Sequence, residues 1–243
     1  MPGQQTQTQS PDPPAVFFDA VGTLVHVSEA VGETYARIGA DFGFLLDPDE
    51  ADAAFRRAFA EMPDAHAAGA AATERGEDRE RRWWRDLVWR VYSTTGIPSK
   101  GDFEACFETL FAHYSDASAW LLFPDVRPAL ERLRAAGMAV GILSNFDRRL
   151  AAALGGLGIA DCFCQVVISA EVGASKPDPA IFAAAARAMG RPASACLHIG
   201  DDADRDYRGA LDAGFGGAFL VDRRNGRDLG AAADWAMAQG GRR

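Results

Sequence analysis

The stretch AVFFDAVGTLV, residues 15–25, determines how the rest of the sequence is interpreted. It opens with an apolar run typical of a buried strand, and that run ends at the carboxylate of Asp19. A turn built around Gly22 and Thr23 follows directly. An aspartate at a strand end is more often a cap or a turn former, so its meaning depends on what the other strand ends carry.

Composition excludes several classes of protein. The 243 residues are 48% hydrophobic, which is enough for a sizeable core, and the net charge of −9 argues against binding to nucleic acid or to an anionic membrane. No window approaches the roughly 18 apolar residues of a membrane span. The four cysteines form no disulfide pattern, so buried, reduced thiols and a cytoplasmic location are expected.

From residue 126 onward, short apolar strands alternate with amphipathic helices. This alternation predicts an α/β fold, in which a Rossmann-like parallel sheet is covered by helices on both faces. The predicted helices lie at 126–137, 145–158, 178–190 and 204–214, and the predicted strands at 138–144, 164–169, 195–201 and 216–222.

The first strand fits this pattern, but its successor begins about 120 residues later. We therefore predict that the core comprises residues 15–25 and 121–243, and that an all-helical cap, residues 26–120, is inserted over the carboxyl edge of the sheet. Residues 1–14 are polar and proline-rich and are expected to be a disordered leader rather than a signal peptide. Residues 63–78 are expected to be a mobile loop.

Polar side chains follow each of the predicted core strands. Asp19 ends the first strand, Ser144 and Asn145 end the second, Lys176 follows the third, and the acidic run 201–206 follows the fourth. The carboxyl ends of parallel strands meet at one edge, so these groups are expected to converge. Lys176 is one of two lysines among 25 basic residues, and lysine suits a point contact with a phosphoryl oxygen or a carboxylate.

Four segments in this order, FFDAVGTLV, GILSNFD, GASKPDPAIF and HIGDDADRDYRGA, resemble the four motifs of the haloacid dehalogenase superfamily. The pair Trp83–Trp84 and the segment SNFDRRLAAALGGLG further resemble the branch of haloacid dehalogenase-like hydrolase domain-containing proteins. The resemblance covers the whole core and implies a hydrolase with a helical cap. It assigns neither the substrate nor the oligomeric state.

The resemblance also implies roles for individual residues. Asp19 would be the nucleophile and form a covalent aspartyl intermediate. Thr23, Ser144 and Asn145 would hydrogen-bond the transferring group, and Lys176 would offset its negative charge. The family pattern implies Mg²⁺ as cofactor, held by Asp19, the Val21 backbone carbonyl and Asp201. Asp206 would be a further ligand or would orient the other ligands, and the adjacent Asp202 could also bind the ion.

Val21 occupies the position where phosphatases of the family carry a second aspartate, the general acid and base. Losing that group should cost roughly 10²–10⁴-fold for a poor leaving group. The expected function is still Mg²⁺-dependent, phosphatase-like hydrolysis of a small phosphorylated metabolite, so the expected partner is an anionic phosphomonoester. The metal is expected because a phosphate dianion can enter a cluster of carboxylates only with a divalent cation.

Three alternatives remain open. Metal-free 2-haloacid dehalogenation needs no acid, but the dehalogenases carry an uncharged Ser-Asn stretch where this chain has Gly200-Asp201-Asp202. Phosphonoacetaldehyde-type hydrolysis would need a cap lysine, for which only Lys100 is available. A non-catalytic binding module would keep the fold without turnover.

Three further side chains invite functional roles. His198 lies within a predicted strand and is expected to be a satisfied core residue. His26 lies near the cap hinge and is the histidine that could face the cleft and transfer the missing proton. Trp83 and Trp84 are expected to be core residues rather than a surface on which the substrate stacks.

Overall fold

The computed structural model describes residues 13–66, 75–93 and 100–240. Its strands, in chain order, are β1 (Ala15–Phe18), β2 (Val25–Val27), β3 (Trp120–Leu122), β4 (Val140–Ser144), β5 (Gln165–Ile168), β6 (Cys196–Gly200) and β7 (Gly217–Leu220). Five of them form a parallel sheet in the order β5-β4-β1-β6-β7. The predicted parallel α/β sheet is therefore confirmed.

Ten helices connect or cover these strands in the described part of the chain. They are α1 (Val31–Ala40), α2 (Pro48–Glu61), α3 (Gly76–Tyr92), α4 (Lys100–His113), α5 (Val126–Ala135), α6 (Arg149–Gly156), α7 (Ser169–Val172), α8 (Pro179–Ala188), α9 (Gly209–Asp212) and α10 (Leu229–Gly240). None of them combines the length and the apolarity needed to cross a membrane.

The central strand β1 is buried on both faces, which explains why its sequence is continuously apolar rather than alternating. Val16 and Phe18 belong to the core that includes α5, α6 and α10, whereas Phe17 packs on the opposite side with Phe182 of α8 and Phe215. Successive side chains of a strand point to opposite faces, so one short strand anchors both helical layers. The core thus fixes the position of Asp19 at the end of β1.

Helices α1–α4 pack around a separate apolar core that includes Tyr35, Phe44, Tyr92 and Phe107. At its start, α3 lies directly against the sheet domain, since a Cβ atom at Gly76 would be 2.0 Å from the carbonyl oxygen of Ala170. The segment between β1 and β4 is therefore mainly helical, as predicted, although the exact domain boundaries at residues 26 and 120 remain a prediction.

The two ends of this segment are not helical, and here the prediction of an all-helical insertion is wrong. β2 and β3 pair as an antiparallel ribbon in which His26 faces Leu121. Each strand is three residues long and finds its partner far along the chain, so local periodicity does not reveal it. The ribbon joins the helical segment to the sheet directly after the turn at Gly22.

Some expectations fall outside the described residues: the leader up to residue 12, positions 67–74 of the predicted loop, and the side chain of Lys100. All four cysteines are free thiols. Cys106 and Cys196 are buried as expected, but the expectation is wrong for Cys164, which is exposed.

Candidate active site

The ends of β1, β4 and β6 lie side by side and bring the predicted site residues together. Asp19 follows β1, and its backbone N–H donates to the carbonyl of Ile199 in β6 at 2.9 Å. Ser144 is the last residue of β4, and its hydroxyl donates to Asp19 Oδ1 at 3.2 Å. Asp19 is 8% exposed, so its carboxylate is buried rather than on the surface.

Lys176 connects the carboxylates of this site. Its ammonium group donates to Asp19 Oδ1 and to Asp206 Oδ1, each at 2.6 Å, and the side chain is buried. Asn145 holds the same residue by its main chain: the Asn145 amide donates to the Lys176 carbonyl at 3.0 Å, and its oxygen accepts from the Lys176 N–H at 2.7 Å. The structure therefore places Asn145 as a residue that positions Lys176.

Asp206 is turned back toward the sheet by a π-helical turn at Ala203–Arg208. Such turns insert an extra residue into a helix and are frequent at functional sites. Asp206 accepts from His198 Nε2 at 2.9 Å and from the Asp202 N–H at 3.0 Å. The Asp202 side chain instead accepts from two backbone N–H groups at the start of the turn, so it acts as a cap rather than converging on Asp19.

Asp201 is held from the other side of the cleft by the first motif. The Thr23 hydroxyl, which is completely buried, donates to Asp201 Oδ1 at 3.0 Å. Gly22 has a φ of +90°, and a Cβ atom there would lie 2.3 Å from Asp201 Oδ2, so a side chain at this position would displace the carboxylate. In this structure Thr23 orients Asp201, which sequence reasoning did not anticipate.

The charges of the cluster strongly influence one another. Burial, together with the charges of Asp206 and Asp201, raises the pKa of Asp19 to about 6 even though Lys176 acts in the opposite direction. Asp201 keeps part of its surface in solvent, but partial desolvation and then the charge of Asp206 raise its pKa, against the hydrogen bond from Thr23, which lowers it. Burial opposes the charge of Lys176, but Asp19 and Asp206 outweigh it and raise the pKa of that ammonium group.

Asp206 behaves differently from the other two carboxylates. Burial favours its neutral form, but Lys176 and His198 outweigh burial and hold the pKa of Asp206 below its usual range. Burial also lowers the pKa of His198, so a neutral ring donates its Nε2–H to Asp206. His198 is a core residue, as predicted, although its Nδ1 has no hydrogen-bond partner among the described residues.

The donor set fits a hard divalent cation. Asp19, Asp201 and Asp206 each offer a carboxylate oxygen, and these oxygens all lie within 4.8 Å of one another. Oxygen ligands of this kind suit Mg²⁺. When the three carboxylates and Lys176 are ionised, the cluster carries two negative charges in excess, which a divalent cation would neutralise.

A cavity of about 540 Å³ opens beside this cluster. Val21, Gly22 and Asn145 line one part of it, and much of the remainder is lined by aromatic and aliphatic side chains of α1–α4. The lining also includes charged and polar residues: Asp64, Glu80, Arg149, Ser175 and Arg205. Val21 is 39% exposed, and its side chain lies on the wall of the cavity. His26 lines the same cavity, as do Trp83 and Trp84, whose rings also pack against the core of the helical segment.

Sequence reasoning missed Arg223, which holds the turn of the first motif. Its guanidinium donates to the carbonyls of Gly22 and Thr23 at 3.1 and 2.7 Å, and it also pairs with Asp125. Arg223 follows β7 and carries no local signal, because Asp125 is 98 positions away and the two carbonyls are 200 and 201 positions away. It thereby fixes the turn that supports Asp201.

Comparisons with known proteins agree with this geometry. The family model for the haloacid dehalogenase-like hydrolases matches residues 13–214. The chain is 32% identical to haloacid dehalogenase-like hydrolase domain-containing protein 3 of Danio rerio, over 87% of this chain and 86% of that protein. It is also 32% identical to a glyceraldehyde 3-phosphate phosphatase of Methanopyrus kandleri, over 82% and 80% of the two chains.

A solved L-2-haloacid dehalogenase has the same fold. It superimposes with a TM-score of 0.72 at 23% identity, over 93% of this chain and 99% of that one. The superposition covers both the sheet and the helical segment. The chain belongs to the haloacid dehalogenase-like hydrolases.

Proposed function

We propose that the chain is a Mg²⁺-dependent phosphatase in which Asp19 attacks the phosphorus atom of a phosphomonoester. The observation that carries this proposal is the convergence of carboxylate oxygens from Asp19, Asp201 and Asp206 within 4.8 Å. Their excess negative charge would repel a phosphate dianion, and a divalent cation held by the same oxygens removes that repulsion. The similarity to a phosphatase of Methanopyrus kandleri supports this class of reaction.

Asp19, Asp201 and Asp206 would hold the Mg²⁺, with the Val21 carbonyl as the further ligand that the family pattern implies. The cation would supply positive charge to the phosphoryl oxygens. All other steps are assigned to residues of the chain.

The nucleophilic step follows from the protonation state of Asp19. Its pKa of about 6 lies below neutral pH, so the carboxylate is available to attack. A new bond forms between a carboxylate oxygen of Asp19 and phosphorus, and the bond from phosphorus to the leaving oxygen breaks. Lys176 and Ser144 hold the carboxylate in place while this occurs. Water then attacks phosphorus, which releases phosphate and restores Asp19.

Val21 bears on a second candidate function. A valine cannot donate a proton, and halide is a leaving group that requires none, so this one position favours 2-haloacid dehalogenation. The acidic groups of Asp201 and Asp206 oppose it, because an anionic haloacid gains nothing from a site with excess negative charge. We therefore place phosphatase activity first.

A paired assay separates the two functions. Phosphate release from a panel of small phosphomonoesters is measured with Mg²⁺ and with EDTA, beside halide release from 2-chloropropionate, for the wild type and for Asp19→Asn. The proposal expects phosphate release that disappears both with EDTA and in the variant. Metal-independent halide release without phosphate release would overturn it.

A further inference from the structure

The aromatic cavity adjoins the proposed phosphatase site, because its lining includes near neighbours of the site residues in the chain. Val21 lies two residues after Asp19 and Asn145 directly follows Ser144, so a group bonded to a phosphoryl unit at Asp19 would have this cavity beside it. A volume of about 540 Å³ is within the range of pockets that hold drug-sized ligands. A triose phosphate or a short haloacid would leave most of it unfilled.

The aromatic side chains of this cavity come from several helices and are packed against each other. Phe55 and Phe59 of α2 stack with ring centroids 5.8 Å apart, and Phe59 meets Trp83 of α3 edge to face at 5.6 Å. Trp83 and Trp84 are themselves perpendicular at 5.0 Å. Rings in these arrangements form a rigid apolar wall that favours another aromatic or extended apolar group.

Polar groups in the wall are largely paired with other protein groups. The indole N–H of Trp83 donates to the Pro63 carbonyl at 2.7 Å. Glu80 accepts from the Ser169 hydroxyl at 2.7 Å and lies 2.9 Å from His66. A ligand with many hydroxyl groups would therefore bury donors and acceptors without partners, which disfavours its binding.

Arg149 is the buried cation of the wall, and it too is satisfied. Its guanidinium donates to both carboxylate oxygens of Asp147 at 2.8 Å, so the pair is neutral as a whole. The same guanidinium lies over the ring of Phe111 at 3.8 Å and presents a flat face rather than free donors. Arg149 thus offers stacking surface more than a second anion site. Arg205, which also lines the cavity, is exposed and its Nε lies 3.7 Å from Asp202 Oδ2.

The acidity of the leaving group is constrained by Val21. Its side chain supplies no proton, so the leaving oxygen must depart as an anion or take a proton from elsewhere. An alkanol resembles water, whose pKa is about 16, whereas a phenol such as the tyrosine side chain has a pKa of about 10. A phenolate or enolate therefore leaves far more easily than an alkoxide.

Resting on the phosphatase function above, we propose that the substrate is a phosphate ester of an aromatic or extended apolar alcohol with an acidic hydroxyl, that is, an aryl or enol phosphate. The apolar group fills the cavity between α2, α3 and the β2–β3 ribbon. The bond between phosphorus and the aryl oxygen breaks with its electron pair on that oxygen, and solvent later protonates it. Water supplies the oxygen that ends on phosphate, so the overall reaction is ester plus water to phenol plus phosphate.

Four substrates, assayed with Mg²⁺, separate the effect of filling the cavity from the effect of an acidic leaving group. Naphthyl phosphate fills the cavity and has an acidic leaving group, whereas naphthylethyl phosphate fills it but releases an alkanol. Acetyl phosphate is small with an acidic leaving group, and glycerol 3-phosphate is neither large nor acidic. We expect both naphthyl esters to show a KM lower than that of the small substrates by about tenfold or more. We expect kcat to be about 10²–10⁴-fold higher for the two acidic leaving groups.

A matched pair of variants tests the cavity itself. Phe59→Ala removes a ring from the wall, whereas Leu45→Ala removes an apolar side chain that is 82% exposed and does not line the cavity. We expect Phe59→Ala to raise the KM for naphthyl phosphate about tenfold and to leave that for acetyl phosphate unchanged. Leu45→Ala should change neither, and equal effects of the two variants would count against the proposal.

Failure of this inference differs from failure of the phosphatase assignment. If all four esters are hydrolysed with the same KM and kcat, the chain is a phosphatase and the substrate class is wrong. If none is hydrolysed, binding of naphthyl phosphate to Asp19→Asn, measured by quenching of the protein's tryptophan fluorescence, to which Trp83 and Trp84 contribute, decides between the two explanations. Quenching by the naphthyl ester and not by inorganic phosphate would support the ligand class without the activity, and absence of quenching by either would overturn both.

Discussion

Replacing Asp19 with asparagine should stabilise the metal-free protein at neutral pH, although it removes the nucleophile. The pKa of Asp19 is raised from 3.8 to about 6 in the folded state, so the folded protein binds this proton more tightly than the unfolded chain. Stability is then lost as the pH rises from about 4 to about 6. A difference of about two pH units corresponds to about 3 kcal/mol, which is an upper bound for this coupled carboxylate.

Urea unfolding in EDTA at about pH 4.5, 6.0 and 7.5 measures this effect. The free energy of unfolding of Asp19→Asn relative to the wild type should increase with pH, by up to about 3 kcal/mol over the range. Asp206→Asn is the matched control: the pKa of Asp206 is lowered, so its charge stabilises the fold and its removal should destabilise the protein at all three pH values. If the difference in unfolding free energy between Asp19→Asn and wild type does not vary with pH, the pKa of Asp19 is not raised in the folded protein, and the reasoning is refuted.

Three further predictions concern single side chains. Val21→Asp should raise kcat for alkyl phosphates by about 10²–10⁴-fold and for aryl phosphates much less, and an unchanged ratio of the two rates would show that proton transfer is not limiting. Lys176→Met leaves two buried carboxylates without their cation, so urea unfolding at neutral pH should show a free energy of unfolding lower by about 3–5 kcal/mol. A decrease below about 1 kcal/mol would contradict the burial of these ion pairs. Arg223→Lys loses the two guanidinium contacts to the turn at Gly22 and should lower kcat, while KM and the melting temperature change little. A lower melting temperature with normal kcat would assign Arg223 a purely structural role.

The sequence was sufficient to predict the sheet and the edge at which the site lies. Parallel strands end at a common edge, so an aspartate, a serine and an acidic run after the first, second and fourth predicted strands were expected to meet once the alternation of strands and helices was recognised. That rule predicts that Ser144 and Lys176 lie at the same edge as Asp19, but the hydrogen bonds that they donate to Asp19 depend on side-chain packing, which the rule does not give.

Other features depend on contacts that local sequence does not encode. Thr23 donates to Asp201 and Arg223 to the turn at Gly22 only because the chain returns to β1 from distant positions. The β2–β3 ribbon is a pairing of the same non-local kind. The cavity is a property of how α1–α4 pack over the sheet, so the side chain of Trp83 could be predicted as apolar but not as part of a ligand-sized space.

The central claim is that Asp19 and Asp201 hold one divalent cation beside a phosphoryl group. The most direct test is a crystal structure grown with Mn²⁺, which stands in for Mg²⁺, and with trifluoroberyllate, which mimics the transferred phosphoryl group. The account predicts an anomalous peak at about 2.2 Å from carboxylate oxygens of Asp19 and Asp201, with beryllium bonded to Asp19. An anomalous peak elsewhere, or trifluoroberyllate bound to Asp19 with no metal between these carboxylates, would contradict it.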